Sequence, residues 1–206
     1  MNDKLIEKER YDNLAELLLK TNKKIHLDQP LDSSRYSKYI NIPTNYYFNL
    51  FKTLNKNSKL LEIGAGTGTN TTELLNMSFD VCATDISPKS VELMNKKFSK
   101  YKNFSSKVAD MEDLPFKNES FDIICSTGSL SYGDNNIVME EIYRLLKPQG
   151  IVLILDSLNN NPIYKFNRLI HCYKGNRTRS TLKRMPDINL INNYIKKFGY
   201  GETKFF

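Results

Sequence analysis

The chain has 206 residues, of which 40% are hydrophobic and 26% are charged, a composition that suits one globular domain with a sizeable core. Its longest purely apolar run, residues 151–155, is far shorter than the roughly 20 residues that span a bilayer, and residues 1–24 do not form a signal segment. We therefore expect neither a membrane span nor a secretory leader nor a long disordered chain. The 30 Lys and Arg residues exceed the 23 Asp and Glu residues, and the net charge of +7 suggests an anionic partner without identifying it.

The first part of the chain is predicted to be helical. Residues 3–20 place apolar side chains at helical spacing with charges opposite them. The segment 26–43 is polar and rich in turn residues, and Thr44 is a candidate cap for a second helix that runs to about Leu54.

From residue 59 onward the pattern changes to alternating strands and helices. Short apolar runs predict strands at 59–63, 80–84, 104–108, 121–126 and 151–155, with helices at 70–77, 88–99 and 135–146. Continuous apolar strands that alternate with helices indicate a mostly parallel, doubly wound α/β sheet covered on both faces. Pro148–Gly150 is expected to stop the helix before the fifth strand, which is apolar throughout and is therefore expected to be central.

The cysteines indicate a reducing compartment. Cys82 and Cys125 lie in apolar strands, Cys172 lies elsewhere, and no two of them form a C-x-x-C pair. With only two histidines in the chain, no zinc-binding set is predicted. We expect free thiols and a cytoplasmic location.

A glycine loop follows the first predicted strand. Gly64, Gly66 and Gly68 have the spacing G-x-G-x-G, which differs from the dinucleotide pattern G-x-G-x-x-G and lacks the G-K-[ST] ending of a P-loop. Glycines at such a strand-to-helix turn let the backbone approach a ligand closely. Asp85 ends the second predicted strand, 17 residues after Gly68, where its carboxylate could accept both hydroxyls of a ribose.

Four segments of this chain, in this order, resemble the class I S-adenosylmethionine-dependent methyltransferases: the glycine loop at 60–68, the acid and its apolar neighbour at 84–87, the acidic loop at 109–116, and the helix-to-strand junction at 144–150. Together they cover about residues 56–156. The resemblance implies a Rossmann-like fold with S-adenosylmethionine as cofactor. It also implies a single methyltransferase domain, residues 1–206, with three parts. These are a helical N-terminal lid at 1–55, a cofactor-binding core at 56–156, and a substrate-covering basic segment with the last strand at 157–206.

The resemblance also implies twelve cofactor-binding residues: Glu62, Gly64, Ala65, Gly66, Gly68, Asp85, Ile86, Asp110, Met111, Ser126, Thr127 and Gly128. The glycine loop would pass beneath the methionine part, and the backbone at 126–128 would face the methionine and the sulfonium. Asp85 would bind the ribose, and Asp110 would accept from the adenine amino group. Ile86 and Met111 would sandwich the adenine, or serve only as core packing. Glu62 would bind the ammonium, directly or through water, or else order the loop.

The excess positive charge lies at one end of the chain. Residues 1–161 have a net charge of −1 (20 basic, 21 acidic), and residues 162–206 have a net charge of +8 (10 basic, 2 acidic). This basic segment is either a solvated face or a site for phosphate or carboxylate groups. It resembles small methyltransferases of bacterial surface-polysaccharide biosynthesis, which implies an anionic, sugar-type acceptor. The candidate substrate-binding residues are Tyr39, Tyr164, Arg168, Arg177 and Arg179.

Three residues are candidates for catalysis. His171 could act as a general base, because its ordinary pKa lies near neutral pH, or it could be structural. Tyr132 and Asp134 follow the fourth strand near the expected point of methyl transfer. They could instead form a turn and cap the next helix.

Two other functions stay open, an RNA methyltransferase and a non-catalytic cofactor-binding module. The balanced charge of residues 1–161 disfavours a nucleic-acid partner. No Asn-Pro-Pro-Tyr sequence follows the fourth strand, which disfavours transfer to base amino groups or protein glutamine. Residues 201–206 could supply a sixth strand, with no chain left for the seventh strand of the family, so the chain is either truncated or pairs this strand directly with the fifth. The oligomeric state is open, a homodimer included.

Overall fold

The computed structural model describes residues 3–21, 33–160, 162–173 and 178–206. Its description of side chains leaves out residues 3, 21, 33–40, 163, 164, 167 and 171. The predictions for Tyr39, Tyr164 and His171 therefore concern side chains outside this description, and Arg177 lies outside the described residues altogether.

Five parallel strands form one sheet, in the order β3-β2-β1-β4-β5. The strands are β1 (Lys59–Ile63), β2 (Asp80–Asp85), β3 (Phe104–Val108), β4 (Phe121–Thr127) and β5 (Leu146–Leu155). The chain moves outward from β1 to β3 and then returns to pair β4 with the other side of β1. Ligands bind at this kind of switch point, outside the carboxyl ends of the strands. The predicted doubly wound parallel sheet is confirmed.

Eight α-helices are found among the described residues: α1 (Asp3–Thr21), α2 (Ser33–Lys52), α3 (Thr69–Asn76), α4 (Pro88–Lys97), α5 (Asn135–Leu145), α6 (Pro162–Tyr173), α7 (Arg179–Lys183) and α8 (Ile188–Phe198). Side-chain caps fix several of the helix starts. The side chains of Ser87, Asp134 and Asp187 accept backbone N–H groups in the first turns of α4, α5 and α8. No helix in the described ranges combines the length and the hydropathy of a membrane span.

The hydrophobic core has two parts, one on each face of the sheet. Leu60 of β1 packs with Phe51 and Phe79 in one cluster. Its neighbour Leu61 packs with Phe121 in the other cluster. Successive strand residues point to opposite faces, so a strand buried on both faces needs a continuous apolar run, which is the pattern that predicted the parallel sheet.

The prediction that the fifth strand is central is wrong. Among the residues that the structure describes, β5 pairs with β4 alone and forms an edge of the sheet. None of the residues of β5 is buried, and Ile151 is 39% exposed. The apolar run reports that residues 152–155 pack partly against the clusters on both faces of the sheet, whereas the number of hydrogen-bonded neighbours depends on the rest of the chain. Pro148–Gly150 lies within β5, which begins at Leu146 directly after α5 and has an irregular register near its start.

Two other predicted elements differ from the structure. Residues 201–206 form no strand, and the Phe206 ring packs edge-on against Tyr46 at 5.4 Å instead. The second helix begins at Ser33, not after a cap at Thr44, and contains Pro43 in its interior. The helix continues through Pro43 although a proline removes one intrahelical hydrogen bond and disfavours helical backbone just before it.

Candidate functional site

The glycine loop turns sharply between β1 and α3. Gly64, Gly66 and Gly68 all have positive φ, at 66°, 56° and 75°, a conformation that L side chains rarely adopt. A Cβ at Gly64 would lie 2.6 Å from the Cβ of Ser129, in the loop after β4. The absence of a side chain at position 64 therefore lets the ends of the two central strands approach each other.

Asp85 connects the end of β2 to this loop. Its Oδ2 accepts the Gly66 N–H at 2.8 Å and its Oδ1 accepts the Ser87 N–H at 2.9 Å. The residue is 6% exposed, and this burial raises the pKa of the carboxyl group, against the effect of the two hydrogen bonds. Each carboxylate oxygen has a second lone pair, so Asp85 can still accept from a ligand.

A small cavity of about 60 Å³ lies at the carboxyl ends of β1, β2 and β4. Seven of the twelve predicted cofactor-binding residues line it: Gly64, Asp85, Ile86, Asp110, Met111, Thr127 and Gly128. These residues come from four separate loops, and the fold brings them together at the switch point of the sheet.

The other five predicted cofactor residues do not line the cavity. Glu62 is buried, accepts a hydrogen bond from Thr71 Oγ1 at 2.6 Å, and so connects β1 to α3. Burial raises the pKa of Glu62 to about 7. Ser126 Oγ lies 2.5 Å from Ser129 Oγ, and Ala65, Gly66 and Gly68 contribute to the turn of the loop. Both roles predicted for Glu62, binding the ammonium and ordering the loop, stay predictions.

Helix α1, which belongs to the predicted N-terminal lid, supplies a wall of the cavity through three side chains that were not predicted as site residues. Lys4, Glu7 and Tyr11 line the cavity from one face of this helix. Lys4 Nζ forms ion pairs with Asp110 and Glu112, each at 2.6 Å. The only signal in the sequence is that positions 4, 7 and 11 share one side of a helix.

The predicted catalytic residues differ in their surroundings. Tyr132 lines the cavity, and its carbonyl accepts a hydrogen bond from Arg184 Nη1 at 3.1 Å. Asp134 is exposed and caps α5 by accepting the Asn136 N–H at 3.0 Å, as the structural alternative expects. His171 lies on α6.

The predicted substrate residues that the structure describes differ in their surroundings. Arg168 is 7% exposed, and its charge acts on Asp156, directly after β5. Burial raises the pKa of Asp156, against the hydrogen bonds it accepts from Leu130 N–H and Ser157 N–H and the charge of Arg168. Both residues line a large open cleft along β5 that also includes Thr127, Gly128 and Tyr132. Arg179 is exposed.

A five-stranded parallel sheet with a glycine loop and two loop acids at its switch point agrees with the Rossmann-like architecture that the resemblance implies. Residues 61–154 match the family model described as "Methyltransferase domain". The match and the fold imply S-adenosylmethionine as the cofactor.

Three similar proteins illustrate the range of the comparisons. The sterol 4-C-methyltransferase strm-1 of Caenorhabditis elegans is 31% identical over 120 residues, which cover 56% of this chain and 36% of that protein. The ubiquinone/menaquinone biosynthesis C-methyltransferase UbiE of Geotalea daltonii is 33% identical over 128 residues, covering 57% of this chain and 52% of that protein. The crystal structure of the [4+2]-cyclase SpnF has a TM-score of 0.69 at 16% identity, covering 96% of this chain and 72% of that one. The chain therefore spans about a third to a half of these two curated relatives.

The residues around the cavity fit S-adenosylmethionine in their chemistry. Asp85 and Asp110 are hydrogen-bond acceptors, the apolar side chains of Ile86 and Met111 suit the faces of an adenine, and the glycine loop leaves its backbone accessible. Ligand sites usually measure about 300–1,000 Å³, whereas this cavity measures about 60 Å³. In this conformation the cavity is therefore smaller than the whole cofactor needs.

Proposed function

We propose that this protein is an S-adenosylmethionine-dependent methyltransferase and that the cavity at the ends of β1, β2 and β4 is its cofactor site. The observation that carries the proposal is the convergence of the glycine loop, Asp85 and Asp110 on one cavity at the switch point of the sheet. Of the twelve residues that the family resemblance implies, seven line this cavity and the rest support its loops.

The chemistry needs alignment more than acid–base assistance. When bound, S-adenosylmethionine supplies a methyl group activated by a sulfonium, and the leaving thioether is neutral. The residues of this chain would bind the nucleoside through Asp85 and Asp110, fix its orientation, and exclude water with α1. A general base is needed where the attacking group is a hydroxyl, and His171 is the residue proposed for it.

We propose that the methyl acceptor is an oxygen or nitrogen of an anionic small molecule, such as a nucleotide-linked or phosphorylated sugar of surface-glycan biosynthesis in the cytoplasm. The net charge of +8 over residues 162–206 supports an anionic ligand. Arg168 lines the cleft that shares Tyr132 with the cofactor cavity, and Arg179 follows it in the same segment. The guanidinium fork matches phosphate and carboxylate geometry.

A second candidate acceptor is a carbon atom of an uncharged ring. The two curated relatives are named as C-methyltransferases of sterols and of quinone biosynthesis. In this chain the acid Asp156 lies close enough to Arg168 for the two charges to interact, which lowers the net positive charge of the cleft at that point. An acceptor without charge would fit that part of the cleft.

Methyl-labelled S-adenosylmethionine tests the proposed function directly. Purified protein is incubated with nucleotide sugars, a demethylated quinone ring and RNA, and label in each product is counted. Transfer to nucleotide sugars supports the first acceptor, and transfer to the quinone ring alone supports the second. Label in RNA alone contradicts both acceptors, and no transfer to any acceptor together with intact cofactor binding would favour the non-catalytic module.

A further inference from the structure

Glu7 of α1 has an unusual environment for a carboxylate. The residue is only 4% exposed. Its Oε2 accepts a hydrogen bond from Arg10 Nη1 at 2.9 Å, whereas its Oε1 is buried and accepts no hydrogen bond. The same side chain lines the cavity between β1, β2 and β4.

Such an oxygen is costly for a folded protein. Buried polar atoms are nearly always hydrogen-bonded, and one left without a partner costs about 1–3 kcal/mol, more where the group is charged. Glu7 lines the cavity, so a ligand bound there can donate a hydrogen bond to its Oε1. A polar atom that lacks a partner inside a binding cavity is therefore a candidate ligand contact.

Contacts on both sides of Glu7 hold it over the cavity. One turn earlier, Lys4 is paired with Asp110 at 2.6 Å. One turn later, Asp12 accepts a hydrogen bond from Ser87 Oγ at 2.6 Å, two residues after Asp85. Glu7 thus lies between the Lys4–Asp110 ion pair and the Asp12–Ser87 hydrogen bond. Asp110 is the residue proposed for the adenine, and Asp85, near Ser87, is the residue proposed for the ribose.

We propose that Glu7 is a cofactor-binding residue, whose Oε1 accepts a hydrogen bond from an O–H or N–H group of bound S-adenosylmethionine. This inference rests on the proposed function, because it takes the cavity to be the cofactor site. It adds to the core residues 56–156 a contact from the first helix of the chain. It also gives α1 a role in holding the cofactor as well as in covering it.

The test compares Glu7→Gln with Glu9→Gln, a matched change at an exposed position of the same helix. A glutamine at position 7 must turn its amide nitrogen either to the cavity or to Arg10, so one of the two acceptor contacts is lost in either orientation. S-adenosylhomocysteine, the cofactor without its methyl group, serves as the ligand in titration calorimetry. We expect Glu7→Gln to raise the Kd about 10- to 100-fold, as for hydrogen bonds to charged groups, and Glu9→Gln to leave it within about twofold.

A second measurement separates ligand contact from loss of folding. Without ligand, Glu7→Gln should change the Tm little, because it removes a buried charge but also weakens the ion pair with the partly exposed Arg10. The gain in Tm on adding S-adenosylhomocysteine should shrink. A Tm lowered without ligand, with an unchanged ligand-induced gain, would show that Glu7 is structural and would overturn the inference.

The Asp85→Asn variant distinguishes failure of this inference from failure of the proposed function. If Asp85→Asn weakens binding and Glu7→Gln does not, the cavity is the cofactor site and Glu7 is not part of it. If neither variant changes the Kd, the site has been placed wrongly and both proposals fail.

Discussion

Glu62 offers a quantitative test of the structure, because its carboxyl group is buried between β1 and α3 with a hydrogen bond from Thr71 Oγ1. We predict that Glu62→Gln stabilises the ligand-free protein at pH 8 and has a much smaller effect at pH 4.5. A glutamine has nearly the same shape, and its carbonyl oxygen can accept the same hydrogen bond. The variant therefore removes the titration of the group and keeps the contact.

The magnitude follows from the pKa of Glu62, which burial raises from an ordinary value of 4.5 to about 7 in the folded protein. Between these two values the folded protein holds a proton that the unfolded chain has released. The free energy of unfolding therefore falls as pH rises through this window. A rise from 4.5 to about 7 corresponds to about 3 kcal/mol, which is lost in full only above pH 7.

The assay is urea unfolding of both proteins at several pH values between 4.5 and 8, followed by circular dichroism. Groups that titrate equally in both proteins cancel in the difference. The unfolding free energy of Glu62→Gln minus that of the wild type should rise by about 3 kcal/mol across this range, mostly between pH 5 and pH 7. A difference that does not change with pH would show that Glu62 titrates normally and would refute the burial argument.

Three further predictions concern the loop, the candidate base and the basic segment. In chemical unfolding, Gly68→Ala should destabilise the protein by more than the matched change Gly199→Ala. Both positions have positive φ and share a backbone strain of about 1–2 kcal/mol, but of the two only Gly68 would place a Cβ against a neighbour, at 2.7 Å from the Phe98 ring. Equal losses of stability would contradict the clash. His171→Ala should reduce kcat by about 100-fold or more, as expected for a general base, and leave the Kd for S-adenosylhomocysteine unchanged; an unaltered kcat rules out the base role. Arg179→Glu should raise the KM of an anionic acceptor about tenfold or more, because a charged hydrogen bond is lost, and should leave the cofactor affinity unchanged. An unchanged KM would show that Arg179 is not part of the acceptor site.

The parts of the fold that short motifs determine could be predicted from the sequence. The turn at Gly64 and the acid at Asp85 depend on residues within one strand-loop-helix unit, so their spacing is visible along the chain. The edge position of β5 depends on which segments pair with it, and its apolar residues cannot report that. Glu7 could not be found either, because a glutamate in a helix rich in charged residues looks solvated until the docking of that helix is known.

The basic segment has two kinds of cation, and the difference bears on which acceptor the protein takes. Arg168 is buried near an acid, Asp156, and a buried charge needs such a partner to offset its desolvation. Its contribution to an anion site is therefore smaller than the net charge of +8 for residues 162–206 suggests. An exposed cation such as Arg179 retains its charge toward a ligand but is screened by salt. An anionic acceptor that relies on such cations should bind more weakly as ionic strength rises, whereas an uncharged ring acceptor should not, so the salt dependence of the acceptor KM separates the two proposed substrates.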